Sequence, residues 1–180
     1  MKRISKRAIL PRLVPLFAIA AMGGAVACSS SECLDNKNSL PLAGFYSSAL
    51  EPQAISLDSI TITGVDVPGD SILHDSVRNI STTYLPFRID QSSTTYRILY
   101  LSGLAGRLGL FDEITFDYDI EPWFVSSACG TIYRYRIKEI NHTSLFIDSV
   151  SVPDGIISNT PGENIRIYFR VNLPEEGGEE

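Results

Sequence analysis

Two stretches of this chain alternate apolar and charged side chains with a period of two, and this pattern constrains the fold most. In residues 113–120 the alternation sets Ile, Phe and Tyr against carboxylates, and in residues 133–138 it sets Tyr and Ile against Arg and Lys. Successive side chains of a strand point to opposite faces. Each stretch is therefore predicted to be a strand with one buried face and one solvent face.

The opposite charges of the two stretches predict that they are antiparallel neighbours. Opposite-charge and aromatic cross-strand pairs each contribute roughly 0.2–1 kcal/mol, so they help to specify register. The pairs of the predicted register are Asp119–Arg134, Asp117–Arg136, Tyr118–Tyr135 and Phe116–Ile137.

Further period-two segments extend this strand pattern along the chain. They are 55–62, with a bulge predicted at Asp58-Ser59, and 85–89, 96–100, 145–149 and 165–171. No convincing amphipathic helix is found, and Gly103, Gly106 and Gly109 are interpreted as a hairpin connection rather than a phosphate-binding loop. About seven strands predict an all-β fold, an antiparallel β-sandwich, with a small β-barrel as the alternative.

Composition excludes several classes of protein. The length of 180 residues is typical of one domain, and 44% hydrophobic residues are too many for a disordered chain. No apolar run reaches the roughly 20 residues of a membrane-spanning helix. Five of the 15 Lys and Arg lie before residue 28, which leaves ten cations against 21 carboxylates. A nucleic-acid partner is therefore not expected.

The N-terminus is typical of an export signal: a basic stretch, an apolar stretch from Leu13 to Ala27, and small residues. Ala25-Val26-Ala27-Cys28 resembles the lipobox of bacterial lipoproteins, which implies lipidation of Cys28 and removal of 1–27 as a signal peptide. An ordinary secretory signal and an uncleaved anchor are the alternatives. Ser after the lipidated Cys resembles lipoproteins of the outer membrane, on either its periplasmic or its cell-surface face.

The remaining cysteines, Cys33 and Cys129, are predicted to form a disulfide in an oxidising compartment. A bridge closing a loop of this length contributes on the order of 2–4 kcal/mol. Two free thiols or a metal site are the alternatives, but His74 and His142 do not have zinc-ligand spacing. We predict no metal and no cofactor.

Several segments resemble a family of short Bacteroidetes lipoproteins that is catalogued only as a domain of unknown function. They are Ser126-Ser127-Ala128-Cys129-Gly130, Tyr133-Arg134-Tyr135, Ile147-Asp148-Ser149-Val150 and Asn164-Ile165-Arg166-Ile167-Tyr168-Phe169. The resemblance implies an exported, lipid-anchored β-rich domain and assigns no catalytic residue.

Four Asp residues are followed by Ser and then Ile or Val, which centres the tripeptide on Ser59, Ser71, Ser76 and Ser149. The tripeptide is similar to the acceptor motif for protein O-glycosylation in Bacteroidetes, where the Ser hydroxyl carries the glycan. The alternative is that Asp-Ser caps turns at the start of strands.

Two sets of side chains are weighed as functional groups. Asp112, Glu113, Asp117, Asp119 and Glu121 have the chemistry of glycosidase acids or a calcium site, but alternation favours a solvent-facing charge ladder. Trp123 and Phe124 are interpreted either as core-edge packing against the disulfide or as an exposed binding patch.

The sequence divides into a signal peptide (1–27), a lipidated Cys with a tether and loop-rich segment (28–49), a β-sandwich domain (50–173) and an acidic tail (174–180). We expect a lipid-anchored outer-membrane protein that acts as a non-enzymatic structural or interaction module with an envelope protein partner. A surface glycan-binding accessory protein and a small envelope hydrolase are the alternatives.

Overall fold

The computed structural model describes residues 39–67, 71–127, 130–160 and 162–170. Within them the chain forms ten strands and one short helix, arranged in two sheets. The predicted all-β fold is therefore confirmed. Cys28, Cys33 and Cys129 lie outside the described residues, as do the predicted signal peptide and tail.

The elements follow one another along the chain with short connections. They are β1 (Leu42–Ser47), β2 (Ile60–Val65), β3 (Ile72–Val77), β4 (Thr82–Tyr84), β5 (Ser93–Tyr100), α1 (Gly103–Leu108), β6 (Phe111–Ser126), β7 (Gly130–His142), β8 (Ile147–Ser151), β9 (Ile156–Ile157) and β10 (Glu163–Phe169).

The smaller sheet has the order β4-β1-β10-β8 and contains a parallel pair, β1 with β10. The predicted wholly antiparallel arrangement is wrong for this pair. β1 also lies in the segment assigned to the tether and loop, so the boundary at residue 50 is wrong too. Four of the six residues of this strand are buried, namely Ala43, Gly44, Phe45 and Ser47, so the strand belongs to the packed domain.

The larger sheet has the order β3-β2-β5-β6-β7-β9, and all its described pairings are antiparallel. β6 and β7 are neighbours as predicted, but their register differs from the predicted one by two residues over Tyr118–Phe124 and by three over Ile114–Asp117. Asp119 is opposite Arg136, and Asp117 is opposite Glu139 across an irregularity beside Tyr118. A two-residue shift keeps every side chain on its face, so periodicity alone does not distinguish the two registers.

Both sheets contribute to one hydrophobic core. Phe87 packs on three aromatic rings of this core, with ring centroids 5.1 Å from Phe116, 4.7 Å from Tyr118 and 5.3 Å from Tyr135. The strand predicted over 85–89 is not formed, because β4 ends at Tyr84. Phe87 is nevertheless buried as the pattern requires.

The expected bulge at Asp58-Ser59 is instead a break in the strand. Ser59 has φ 55°, and β2 begins at the next residue. Its carbonyl oxygen accepts a hydrogen bond from the Leu101 N–H at 2.7 Å, so the break is joined to the end of β5.

The glycine-rich connection between β5 and β6 contains α1, a helix that the sequence analysis did not predict. A Cβ at Gly106 would lie 2.0 Å from the carbonyl oxygen of Leu101, so only glycine fits this close approach. Gly109 ends the helix at φ 63°, a left-handed conformation that glycine adopts without strain. The segment does join two antiparallel neighbours, as predicted.

Candidate interaction surfaces

β6 is the longest described strand, and apolar side chains are exposed at both of its ends. The surface that we call the aromatic end consists of Trp123, Phe124, Val125 and Tyr133. The surface that we call the leucine end consists of Leu101, Leu104, Leu108, Phe111 and Leu145. Contiguous exposed apolar patches mark interaction sites, whereas single exposed apolar side chains are common on any protein surface.

The aromatic end belongs to a two-stranded ribbon. β6 pairs with β5 only as far as Asp117, whereas its pairing with β7 continues to Ser126. Trp123 is 48% exposed and Phe124 65% exposed. They are neighbours along one strand, so they lie on opposite faces of the ribbon.

Charged groups surround Trp123. The Arg134 guanidinium lies 3.8 Å from the centre of the indole ring, and its Nη2 is 3.7 Å from a Glu121 oxygen. Arg136 donates to Glu121 at 2.6 Å. This geometry agrees with the exposed-patch interpretation of Trp123. The alternative, core-edge packing against the Cys33–Cys129 disulfide, involves residues outside the described ranges and stays a prediction.

A mainly apolar cavity of about 260 Å³ lies beside the aromatic end. Its walls are Leu40, Pro86, Phe87, Ile89, Tyr133 and Tyr135. Ser39 is fully buried here, and its hydroxyl donates a hydrogen bond to the Tyr133 carbonyl oxygen. The first described residues of the chain are therefore fixed at the aromatic end.

The leucine end is built on α1, none of whose residues is buried. Leu104 and Leu108 are each 61% exposed and four residues apart, so they share one face of the helix. Phe111 is also exposed, and the Arg97 guanidinium lies 4.5 Å from its ring centre. The i, i+4 spacing of the two leucines was the available sequence signal for this surface.

A buried carboxylate fixes the leucine end. Asp112 is fully buried and accepts hydrogen bonds from the Thr143 hydroxyl at 2.6 Å and the Tyr100 hydroxyl at 2.8 Å. Backbone N–H groups of three successive residues also donate to it. They belong to Leu145, Phe146 and Ile147. The connection between β7 and β8 is therefore held against the start of β6.

These contacts determine the protonation of the two partners. Burial alone would raise the pKa of Asp112, but the hydrogen bonds from Thr143, from the backbone and from Tyr100 lower it on balance. The pKa of Tyr100 is raised, by burial first and then by the neighbouring Asp112 charge. Asp112 is therefore ionised and Tyr100 protonated at neutral pH.

The other carboxylates weighed as catalytic groups lie along the solvent face. Glu113 pairs with Arg97 at 2.6 Å, Asp119 with Lys138 at 2.6 Å, and Glu121 with Arg136 at 2.6 Å. The predicted partners Asp119–Arg134 and Asp117–Arg136 are replaced through the register shift. The charge ladder is present in this shifted form, whereas Asp112 lies on the core side.

The two histidines make separate contacts. His74 Nε2 is 2.8 Å from the Thr83 hydroxyl, and His142 Nδ1 is 2.8 Å from the Thr143 carbonyl oxygen. Across the described ranges, no group of three or more His, Cys, Asp or Glu is arranged to hold a metal ion. No helix in those ranges is long and apolar enough to cross a membrane.

The four serines of the Asp-Ser-aliphatic tripeptides differ in environment. Ser71, Ser76 and Ser149 are exposed, whereas Ser59 is half-buried. Ser76 has φ 51° and lies where the pairing of β2 with β3 is irregular. Its hydroxyl donates to the Asp75 carboxylate at 2.9 Å, a side-chain contact and not the side-chain to backbone hydrogen bond of a turn cap.

Comparison with known protein families gives a match to "Family of unknown function (DUF6452)" over residues 59–169. The match covers more than half of the chain. The chain belongs to this family. The predicted resemblance to a domain of unknown function is thereby confirmed, and the matched residues include both ends of β6. No curated protein and no solved structure gives a significant match.

Proposed function

We propose that this member of the family is a lipid-anchored, non-enzymatic interaction module of the cell envelope, and that its leucine end binds a partner protein. The observation that carries the proposal is the exposure of Leu104 and Leu108 on a helix none of whose residues is fully buried and from which the partly buried Ala105 packs against the core. Such side chains do not stabilise the isolated domain, so a protein partner with an apolar surface accounts for them.

The charges around the leucine end restrict the chemistry of that partner. Arg107 is exposed on α1 between the two leucines in sequence, and Arg97 lies over Phe111. An apolar contact surface with carboxylates at its rim would complement this arrangement. The rigid support from Asp112 limits the entropy lost on binding, because the neighbouring connection is already ordered.

A site-specific cross-link tests the interaction. A photoreactive amino acid at Leu104 is expected to join one protein in the native envelope, and the same group at exposed Gln91 is expected not to do so. Leu104→Ser with Leu108→Ser should abolish the complex while the thermal unfolding midpoint stays within a few degrees. Equal cross-linking from Leu104 and Gln91 would contradict the proposal.

The lipid anchor is supported by Ala25-Val26-Ala27-Cys28 after an apolar stretch. Two or more acyl chains give durable attachment, because each buried methylene contributes about 0.8 kcal/mol. The intact mass of the protein purified from its own envelope is expected to equal a chain beginning at Cys28 with its acyl groups. A Cys28→Ser variant provides the unacylated reference. An unacylated mature chain would disprove the anchor.

The exposed serines support a proposal of O-glycosylation at Ser71, Ser76 or Ser149. The three hydroxyls lie on the surface, as an acceptor requires. The mass of the native protein is expected to exceed that of the acylated polypeptide, and the triple Ser→Ala variant is expected to lose the excess. A native mass equal to the acylated polypeptide would dismiss the modification.

One observation favours a second candidate function, glycan binding. Trp123 is exposed beside Arg134 and Glu121, which is the arrangement expected of a sugar-stacking residue. However, the guanidinium already covers one face of the indole. A soluble envelope polysaccharide should shift the fluorescence of Trp123, the one tryptophan of the chain, and Trp123→Phe should weaken calorimetric binding. The paired carboxylates of β6 support no proposal of a hydrolase.

A further inference from the structure

We infer that the aromatic end lies against the lipid surface that holds the anchor. The inference rests on the proposed lipidation of Cys28 and adds to it an orientation and a lipid-contacting surface. The surface that the aromatic end contacts is the interfacial region of the bilayer, where headgroups meet acyl chains. The leucine end is then directed away from the membrane.

The position of Ser39 provides the geometric argument. Its hydroxyl is bound to the Tyr133 carbonyl oxygen, so the chain enters the fold at the aromatic end. Ser39 lies eleven positions after Cys28, so eleven residue steps join them. At roughly 3.5 Å per extended residue, they span at most about 40 Å. The anchor therefore keeps the aromatic end within that distance of the lipid surface.

The leucine end is much less accessible to the same surface. Phe111 and Trp123 are twelve positions apart on one strand, which corresponds to roughly 40 Å of β-structure. A nearly fully extended tether would be needed for the leucine end to face the membrane with the aromatic end directed away from it. The aromatic end makes contact over a wide range of shorter tether conformations.

The chemistry of the aromatic end also suits a lipid interface. Trp and Tyr concentrate where acyl chains meet headgroups, because each has an apolar ring and a polar group. Trp123, Phe124 and Tyr133 provide such rings on both faces of the ribbon. Arg134 and Arg136 lie beside them and match phosphate groups in charge.

The single tryptophan makes the inference directly measurable. Acylated protein is incorporated into phosphatidylcholine vesicles whose acyl chains carry bromine near the headgroup. Trp123 is expected to lose at least roughly half its fluorescence relative to unbrominated vesicles, since interfacial apolar groups lie about 5–10 Å deep. Aqueous acrylamide should quench it less in vesicles than in the Cys28→Ser protein.

A matched variant moves the probe to the other end. Trp123→Phe with Leu104→Trp keeps one tryptophan and the same anchor, and Leu104 is exposed enough to accept the larger ring. Acrylamide is expected to quench the fluorescence of this double variant, whereas the brominated lipids are not. Equal bromine quenching at the two positions would contradict the orientation.

Flotation of the vesicles separates the anchor from the orientation. Protein that floats with the vesicles while Trp123 responds only to acrylamide would overturn the inference and leave the anchor intact. Protein that does not float would overturn both. A Trp123 response to soluble polysaccharide without a response to bromine would assign the aromatic end to glycan binding and also overturn the inference.

Discussion

The two ends of β6 expose apolar side chains for different structural reasons. At the leucine end, a fully buried carboxylate holds the β7–β8 connection, so the surface leucines are not needed for the core. At the aromatic end, a two-stranded ribbon extends past β5 and is lined by surface ion pairs. The leucine end is thus supported by buried hydrogen bonds to a charged group, whereas the ion pairs of the aromatic end are exposed and contribute little to stability.

Removing the buried carboxylate is expected to have the largest effect. Asp112→Ala leaves the N–H groups of 145–147 and two hydroxyls without their acceptor. Removing one partner of a buried charged interaction typically costs about 3–5 kcal/mol, so the free energy of unfolding should fall by about that amount in urea titrations. Glu113→Gln is the exposed control and should change it by less than about 1 kcal/mol. Equal losses of unfolding free energy in the two variants would contradict the difference between the buried and the exposed carboxylate.

The same carboxylate gives stability a defined pH dependence. The pKa of Asp112 is lower in the folded state than its unfolded value of about 3.9, so its contribution is complete above that value and is lost as pH falls through the folded pKa. The stability difference between the wild type and Asp112→Asn should therefore be constant near neutrality and decrease below about pH 4. A constant difference throughout the acid range would contradict this assignment.

Overpacking α1 is expected to have the next largest effect. Gly106→Ala forces a methyl group against the Leu101 carbonyl, and the free energy of unfolding should fall by about 1–3 kcal/mol. Arg107→Ala, on the exposed surface of the same helix, is the control and should change it by less than about 0.5 kcal/mol. Thermal unfolding of the two variants tests the difference.

At the aromatic end, the corresponding loss is expected to be smaller. Trp123→Ala removes the cation–π contact with Arg134, which contributes about 0.5–1 kcal/mol at an exposed site. Urea titration should show a decrease of that size. A decrease comparable to that of Asp112→Ala would show that the ribbon is supported as strongly as the leucine end.

The smallest expected change is a gain in stability. Asp117 and Glu139 are directly opposed on β6 and β7, and like charges in this position are destabilising. Glu139→Lys should raise the free energy of unfolding by about 0.5 kcal/mol, and Glu139→Gln by less. High salt should reduce both gains, because exposed charges are screened.

Several features of the fold were predictable because they depend on local chemistry. Alternation identified β5, most of β6 and β7, and the last strand, and it placed Glu113 and Asp119 on the solvent face. It did not identify β3, in which none of the six residues is buried. The same period places Asp112 on the core face with Ile114 and Phe116, but it does not show what the carboxylate binds, because the donors come from Tyr100 and from residues more than thirty positions further along the chain.

The sequence by itself determined which residues form the main strands, which face of each strand meets the core, and the lipobox-like signal before Cys28. These properties follow from the order of neighbouring side chains. Tertiary structure decided the register shift of β7, the parallel pairing of β1 with β10, and the hydrogen-bond donors of Asp112. Each depends on contacts between residues distant in sequence, and alternative pairings with the same side-chain faces are equally compatible with the local pattern.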